Sequence, residues 1–240
     1  MKTKLFLIFL LITTFLTTNI ISQENNQGVD PEEIIERYIS AIGGAENLNK
    51  VQDRTTIMRG NAMDQTITLI IKQKAPNKFR QEIKVAGMDQ VLIYDGEKAV
   101  MKIGDQQMDV PEEQLDQLKV EAAMELLLNP EEYGVTFSYE GEEMVDNKKC
   151  DVLKMQTESG VISKIYFDKE SGLKVLEKKS TVTPMGSMEQ TIEFSDYKEV
   201  AGVKYPHKLK QSFGPQSVEV TVSSIKVNTN LSDDIFKISE

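Results

Sequence analysis

The sequence predicts a mainly β protein with two or three helices, built on an antiparallel sheet of about eleven or twelve strands. Three observations predict it. From residue 134 onward, apolar and polar residues alternate with a period of two, and no helical period intervenes. Turn residues recur between these runs, at Gly141, Ser159-Gly160, Ser171-Gly172, Pro184-Met185-Gly186, Ala201-Gly202 and Gly214-Pro215. Connections this short leave no room for the crossovers that parallel strands require, so the strands must pair antiparallel.

The first 22 residues read as an address. Met1-Lys2-Thr3-Lys4 is a short basic start, Leu5 to Ile21 is an apolar run broken only by Thr and Asn, and Ser22-Gln23-Glu24 turns polar. These are the three parts of a cleaved secretory signal peptide, and the apolar run of about 17 residues is at the short end of a membrane span. No Cys stands near the cleavage zone, so the exported protein is not expected to be a lipoprotein. Residues 23–240 contain no Pro/Ser-rich linker and no repeat of fixed period, and are expected to form a single domain in the periplasm.

Residues 30–43 predict a helix. Asp30 is placed to cap it, Pro31 fits the first helical position, and Glu32-Glu33 complement the dipole. Ile34, Ile35, Tyr38, Ile39 and Ile42 share one face, and Gly43-Gly44 ends the run. The period then changes to two. Ile67, Leu69 and Ile71 alternate along one strand, Phe79, Ile83 and Val85 along the next, and Ala75-Pro76-Asn77 turns between them. Val91 to Tyr94 precedes Asp95-Gly96, a hairpin signal, and Ala99, Met101 and Ile103 continue beyond it. A second helix is predicted over residues 111–128, opened by Pro111-Glu112-Glu113 and stopped by Asn129-Pro130. Seven further strands follow. A sheet this large must curl or pair with another sheet, and two helices are few to cover one face. The alternatives are a closed barrel or sandwich, or a bent sheet that holds helices in an underfilled concavity.

Composition excludes several function classes. With 28 Lys and Arg against 38 Asp and Glu, the formal net charge is −10, which opposes a nucleic-acid partner or docking on anionic lipid through a basic face. The single Cys, Cys150, rules out an internal disulfide and a multi-Cys zinc site. The single His, His207, rules out a two-His metal site. No nucleophile elbow, phosphate loop or dinucleotide fingerprint is present, so neither an enzyme nor a cofactor is expected. The acidic runs Glu140-Gly141-Glu142-Glu143 and Ser232-Asp233-Asp234 lack the spacing of a calcium loop and read as solvated charges. Cys150 lies in a strand-like stretch and reads as an inert core thiol. Eleven Met with no Trp give a soft apolar content, suited to irregular volumes.

Five stretches carry a family resemblance. They are Ile34 to Gly44; Lys74-Ala75-Pro76-Asn77-Lys78-Phe79-Arg80 with the later Tyr94-Asp95-Gly96; Ile165 to Leu173; Phe194 to Pro206; and Leu231 to Ile238. In order and spacing the chain resembles the LolA/LolB superfamily, nearest to the outer membrane lipoprotein-sorting proteins of Bacteroidetes type. The resemblance implies an incomplete antiparallel barrel of about eleven strands, lidded by helices, whose cavity takes a lipid or lipoprotein acyl chain. Inner- or outer-membrane lipoprotein transport components would be further partners. One position departs from the pattern: the family's Arg before the Pro of the strand-turn motif, which bonds lid backbone, is Ala75 here.

The expected reading is a periplasmic carrier of acyl chains, acting in lipoprotein sorting or related envelope lipid handling. Its cavity is expected to be lined by Ile67, Leu69, Ile71, Phe79, Ile83, Val85, Leu92, Met101, Leu118, Met124 and Leu127, with residues 111–128 as the lid. The competing readings are an envelope sensory or protein-binding module of the same fold, an enzyme acting on an envelope substrate, and a fully packed barrel without ligand.

Overall fold

Asp30 caps α1 (Pro31–Ala41), its carboxylate accepting from the Glu32 amide at 3.0 Å. Ile34, Ile35 and Ile39 are buried on the face the spacing marked out. After Gly43-Gly44 a short α2 (Ala45–Asn49) leads into the sheet. Gly43 is required: a Cβ there would lie 2.0 Å from the Gly202 carbonyl oxygen, and Lys204 donates its amide to Ile42 at 2.7 Å beside it. The computed structural model describes residues 28–62, 65–85, 88–183, 186–214 and 216–238. The leader expected over residues 1–22 and part of the turns at Pro184-Met185 and Pro215 lie outside the described residues.

The strands are β1 (Asp53–Ala62), β2 (Gln65–Lys74), β3 (Lys78–Val85), β4 (Met88–Tyr94), β5 (Ala99–Ile103) and β6 (Gln106–Asp109). After α3 (Glu112–Ala122) come β7 (Val135–Val145), β8 (Lys148–Thr157), β9 (Ile162–Asp168), β10 (Lys174–Thr183), β11 (Gly186–Val200), β12 (Val203–Phe213) and β13 (Gln216–Val227). They form one 13-stranded antiparallel sheet in the order β6-β5-β4-β3-β2-β1-β13-β12-β11-β10-β9-β8-β7. Two meanders therefore meet at the β1–β13 pair. The free edges are β6 and β7, which are consecutive in sequence, so the chain between them must cross the open side. That crossing carries α3.

The fold class is the expected one, an incomplete barrel, but its thirteen strands exceed the eleven or twelve that the alternation gave. β1 escapes a period-two search because its inner face presents Arg54, Thr56, Met58 and Gly60, a set with one apolar member. β6 is exposed at all four positions and carries no pattern. The second helix is also shorter than the predicted 111–128. It stops at Ala122, and Ala123 turns extended at ψ 107°. Tertiary contacts pull the following apolar residues apart: Met124 packs against Val51, Val203 and Tyr205, whereas Leu126, Leu127 and Leu128 pack against the α1 side.

The core is concentrated at the two flanks of the concave face. On one, α1 packs Ile34, Ile35 and Ile39 onto Val135, Leu153 and Phe167, and Tyr38 meets the Phe167 ring at 5.2 Å. Arg37 pairs with the buried carboxylate of Asp151 on β8. On the other flank, Leu118 and Ala122 of α3 pack onto Phe79, Tyr94 and Ala99. Cys150 lies in a separate cluster with Val152 and Tyr166, and burial pushes its thiol pKa up, which disfavours the thiolate.

The acidic runs are used in ion pairs. Glu142 pairs with Lys149 and Lys169, and Glu140 with Lys164. Asp233 pairs with Lys74 at 3.0 Å and Lys78 at 2.8 Å, tying the C-terminal segment to β2 and β3.

Candidate functional site

The pairing register decides which residues face inward. Leu69 on β2 stands between Met58 on β1 and Ile83 on β3, and Ile67 stands between Gly60 and Val85. Ile71, Phe79, Leu92 and Met101 fall on the same face by the same alternation. On the other meander the inner face carries Ile192, Leu209, Phe213 and Val220.

Two helices do not cover this face. α1 fills the flank over β7–β9 and α3 the flank over β3–β5, and the middle of the sheet is left with a cavity of about 770 Å³. Its apolar lining includes Met58, Leu69, Ile71, Leu209, Phe213 and Val220, with Phe167 on one flank and Leu126 and Leu127 above. The volume lies inside the range of roughly 300–1,000 Å³ typical of small-molecule sites.

Of the predicted lining residues, Leu69, Ile71 and Leu127 border the cavity. Ile67, Ile83, Val85, Leu92 and Met101 share its face. Phe79 and Leu118 instead sit in the packed seam under α3, and Met124 in the packed cluster near Val51. The sequence reading missed Met58 and the whole β11–β13 contribution, although Leu209 and Val220 follow ordinary alternation.

It also missed a polar patch. Lys174, Glu177 and Lys179 on β10 project into the same cavity, with Gln81, Gln117 and Gln190 around it. Lys174 pairs with Glu177 at 3.2 Å and lies 4.1 Å from the Phe194 ring centre. Lys179 pairs with Glu121 of α3 at 2.9 Å. Burial alone would raise the Glu177 carboxyl, but the ammonium groups of Lys174 and Lys179 outweigh it and hold the pKa below the ordinary carboxylate range. Burial alone would lower the Lys179 ammonium, but Glu121 and Glu177 outweigh it and hold its pKa above the ordinary lysine value. Glu177 and Lys179 are thus both charged inside the cavity at neutral pH.

Glu121 is also the point at which α3 is fastened. Its backbone carbonyl accepts from Gln73 Nε2 at 2.9 Å, and its carboxylate accepts from Gln117 at 3.0 Å as well as from Lys179. Gln73 is buried on β2 and is held by Arg54, whose guanidinium lies 5.0 Å from the Tyr205 ring centre. Gln73, two residues before Ala75, thus bonds the α3 backbone from a strand.

A second groove, of about 690 Å³, lies between α1 and residues 127–132. Exposed Glu32, Glu36, Glu131 and Glu132 rim it. Ile35, Ile39, Leu127 and Leu128 also line it, so it differs from the first cavity chiefly in carrying only acidic groups at its rim.

An open antiparallel sheet curled round a partly empty, helix-lidded concavity defines an incomplete, lidded β-barrel. Solved structures share this architecture over most of the chain. A LolA superfamily protein from Nitrosomonas europaea matches with a TM-score of 0.57 at 13% identity, covering 88% of this chain and 99% of its own. A DUF1329 family protein from Desulfovibrio piger matches with a TM-score of 0.57 at 13% identity, covering 87% and 98%. A domain named for outer membrane lipoprotein sorting, from Vibrio parahaemolyticus, gives 0.55 at 13% identity, covering 85% and 95%. This chain therefore shares the fold of these three proteins. No protein-family model matches the sequence, and a search of the curated proteins returns no significant match.

Proposed function

We propose that this protein is a carrier, not an enzyme, which holds the acyl chain of a lipid or lipoprotein in the concavity and carries it across the periplasm. One observation supports this reading above the others: the cavity of about 770 Å³ is walled by Met58, Leu69, Ile71, Leu209 and Val220 and covered by a helix whose backbone is bonded by Gln73 at Glu121. Each buried methylene contributes about 0.8 kcal/mol, so a chain of about sixteen carbons supplies on the order of 10 kcal/mol before ordering costs. A carrier must also release its load. The α3 seam sets Leu118 and Ala122, with Leu115 beside them, against Phe79, Tyr94 and Ala99, and Gln73 and Lys179 fasten it at Glu121; a seam of this kind can open without unfolding the sheet. Lipoprotein sorting is the role named for one protein of this fold, and the leader expected over residues 1–22 fits the same compartment.

The test is native mass spectrometry of the protein exported to a periplasm and purified without detergent. The expected spectrum shows discrete adducts of acyl-lipid mass that organic extraction removes. After extraction, one palmitate or one lipopeptide should bind again per chain. A bare mass throughout, with no uptake of added fatty acid, phospholipid or lipopeptide, would overturn the carrier reading.

A further inference from the structure

A container for hydrocarbon alone has no use for partly buried ammonium groups, yet the wall contributed by β10 carries two. Lys174, Glu177 and Lys179 all point into the cavity because a register shift between Lys174 and Leu176 brings them onto one face. The wall by itself therefore holds two cations and one anion. The fourth charge, Glu121, belongs to α3, the element that covers the cavity. With α3 seated the four charges balance. With α3 displaced, the wall keeps an uncompensated positive charge beside Gln190, Ile192 and Gln211. The two partners are unequal in their access to solvent: the Glu121 side chain is 35% exposed and that of Lys179 is 15% exposed. The carboxylate is the one that can leave to water.

We propose, resting on the acyl-chain reading above, that the ligand is an amphiphile with an anionic head, a carboxylate or a phosphate, which replaces the Glu121 carboxylate on Lys179. The lid acid is then a placeholder for the ligand's own anion. Loading exchanges one anion for another at Lys179 while the hydrocarbon lies along Leu69, Leu209 and Val220. The exchange also couples occupancy to the lid, because the same residue holds α3 through its backbone carbonyl.

The experiment compares ligands that differ only in head charge on the delipidated protein, by displacement of a fluorescent acyl probe. The pairs are palmitate against methyl palmitate, and dipalmitoyl phosphatidate against dipalmitoylglycerol. The expected preference for the anion is about 10–100-fold, the range a charge-assisted hydrogen bond supports. A preference confined to the first pair identifies a fatty acid, and one confined to the second a phospholipid head. In Lys179→Gln the ratio should fall to about one. Glu121→Gln, which keeps the shape of a partly exposed side chain, should bind palmitate at least about threefold more tightly than the parent. Equal affinity within both pairs, or an unchanged ratio in Lys179→Gln together with unchanged palmitate affinity in Glu121→Gln, would overturn the proposal while leaving the carrier reading intact. Failure of all four ligands to bind would overturn both.

Discussion

Leu69→Glu is expected to weaken acyl-chain binding by about 100-fold or more while the sheet still forms. Leu69 is half-buried on the concave face of β2, opposite Met58 and Ile83, and it borders the cavity. A carboxylate there must either be desolvated when hydrocarbon covers it or take up a proton, and each costs several kcal/mol of binding. Ile83→Glu, on the neighbouring strand and the same face, should act in the same direction. Thr68→Glu is the control for register, because Thr68 points to the convex face of the same strand. Binding of the fluorescent acyl probe by all three variants, with circular dichroism to confirm the fold, checks the prediction. Loss of binding in Thr68→Glu with retention in Leu69→Glu would reverse the assignment of faces.

Asp53→Asn is expected to cost about 2–4 kcal/mol of stability at neutral pH. Asp53 is 3% exposed at the start of β1. Its two oxygens accept from the Thr229 amide at 2.8 Å, the Thr229 hydroxyl at 3.0 Å, the Asn230 amide at 2.8 Å and the Leu231 amide at 3.2 Å. These bonds hold the C-terminal segment where Asp233 can reach Lys74 and Lys78, and where Phe236 is buried. An asparagine keeps one acceptor and turns an NH₂ group toward backbone N–H groups, so about half of the set becomes repulsive. Burial alone would raise the Asp53 carboxyl, but the bonds from Thr229, Leu231 and Asn230 outweigh it and depress the pKa. A depressed folded-state pKa means that this stabilisation is fully present above the unfolded value of about 3.9 and is lost as pH falls through the lower folded value. The difference between parent and variant in urea unfolding midpoint should therefore be constant from pH 7 to about pH 5 and shrink below about pH 4. A difference that persists undiminished at pH 3 would show that the carboxylate is not the source.

Much of this architecture is legible in the sequence. α1 announced itself because its cap, its first-turn proline and its apolar face all agree locally. The strands β2 to β5 and β7 to β13 were legible where one face is apolar and the other polar. β1 was not, because the residues it turns inward include Arg54 and Gly60, one serving the α3 fastening and the other the close approach of β13. The charged patch was hidden for a different reason. Lys174, Glu177 and Lys179 sit among other charged residues and read as an outer face. In strict alternation Lys174 would face away from the other two, and the bulge around Val175 cancels that parity. The fastening of α3 was hidden too, since Gln73 and Glu121 are 48 positions apart and neither belongs to a motif. Local pattern gave the scaffold, whereas the polar chemistry of the cavity depends on one bulge and on contacts distant in sequence.

Photolabelling with a palmitate analogue that carries a diazirine near its chain end, followed by peptide mapping, tests most directly that hydrocarbon lies behind α3. The account predicts labels on the concave face, in the peptides holding Met58, Leu69 to Ile71, Leu126-Leu127, and Leu209 or Val220, all competed away by unlabelled palmitate. Label confined to the groove between α1 and residues 127–132, or spread over the convex face, would contradict it.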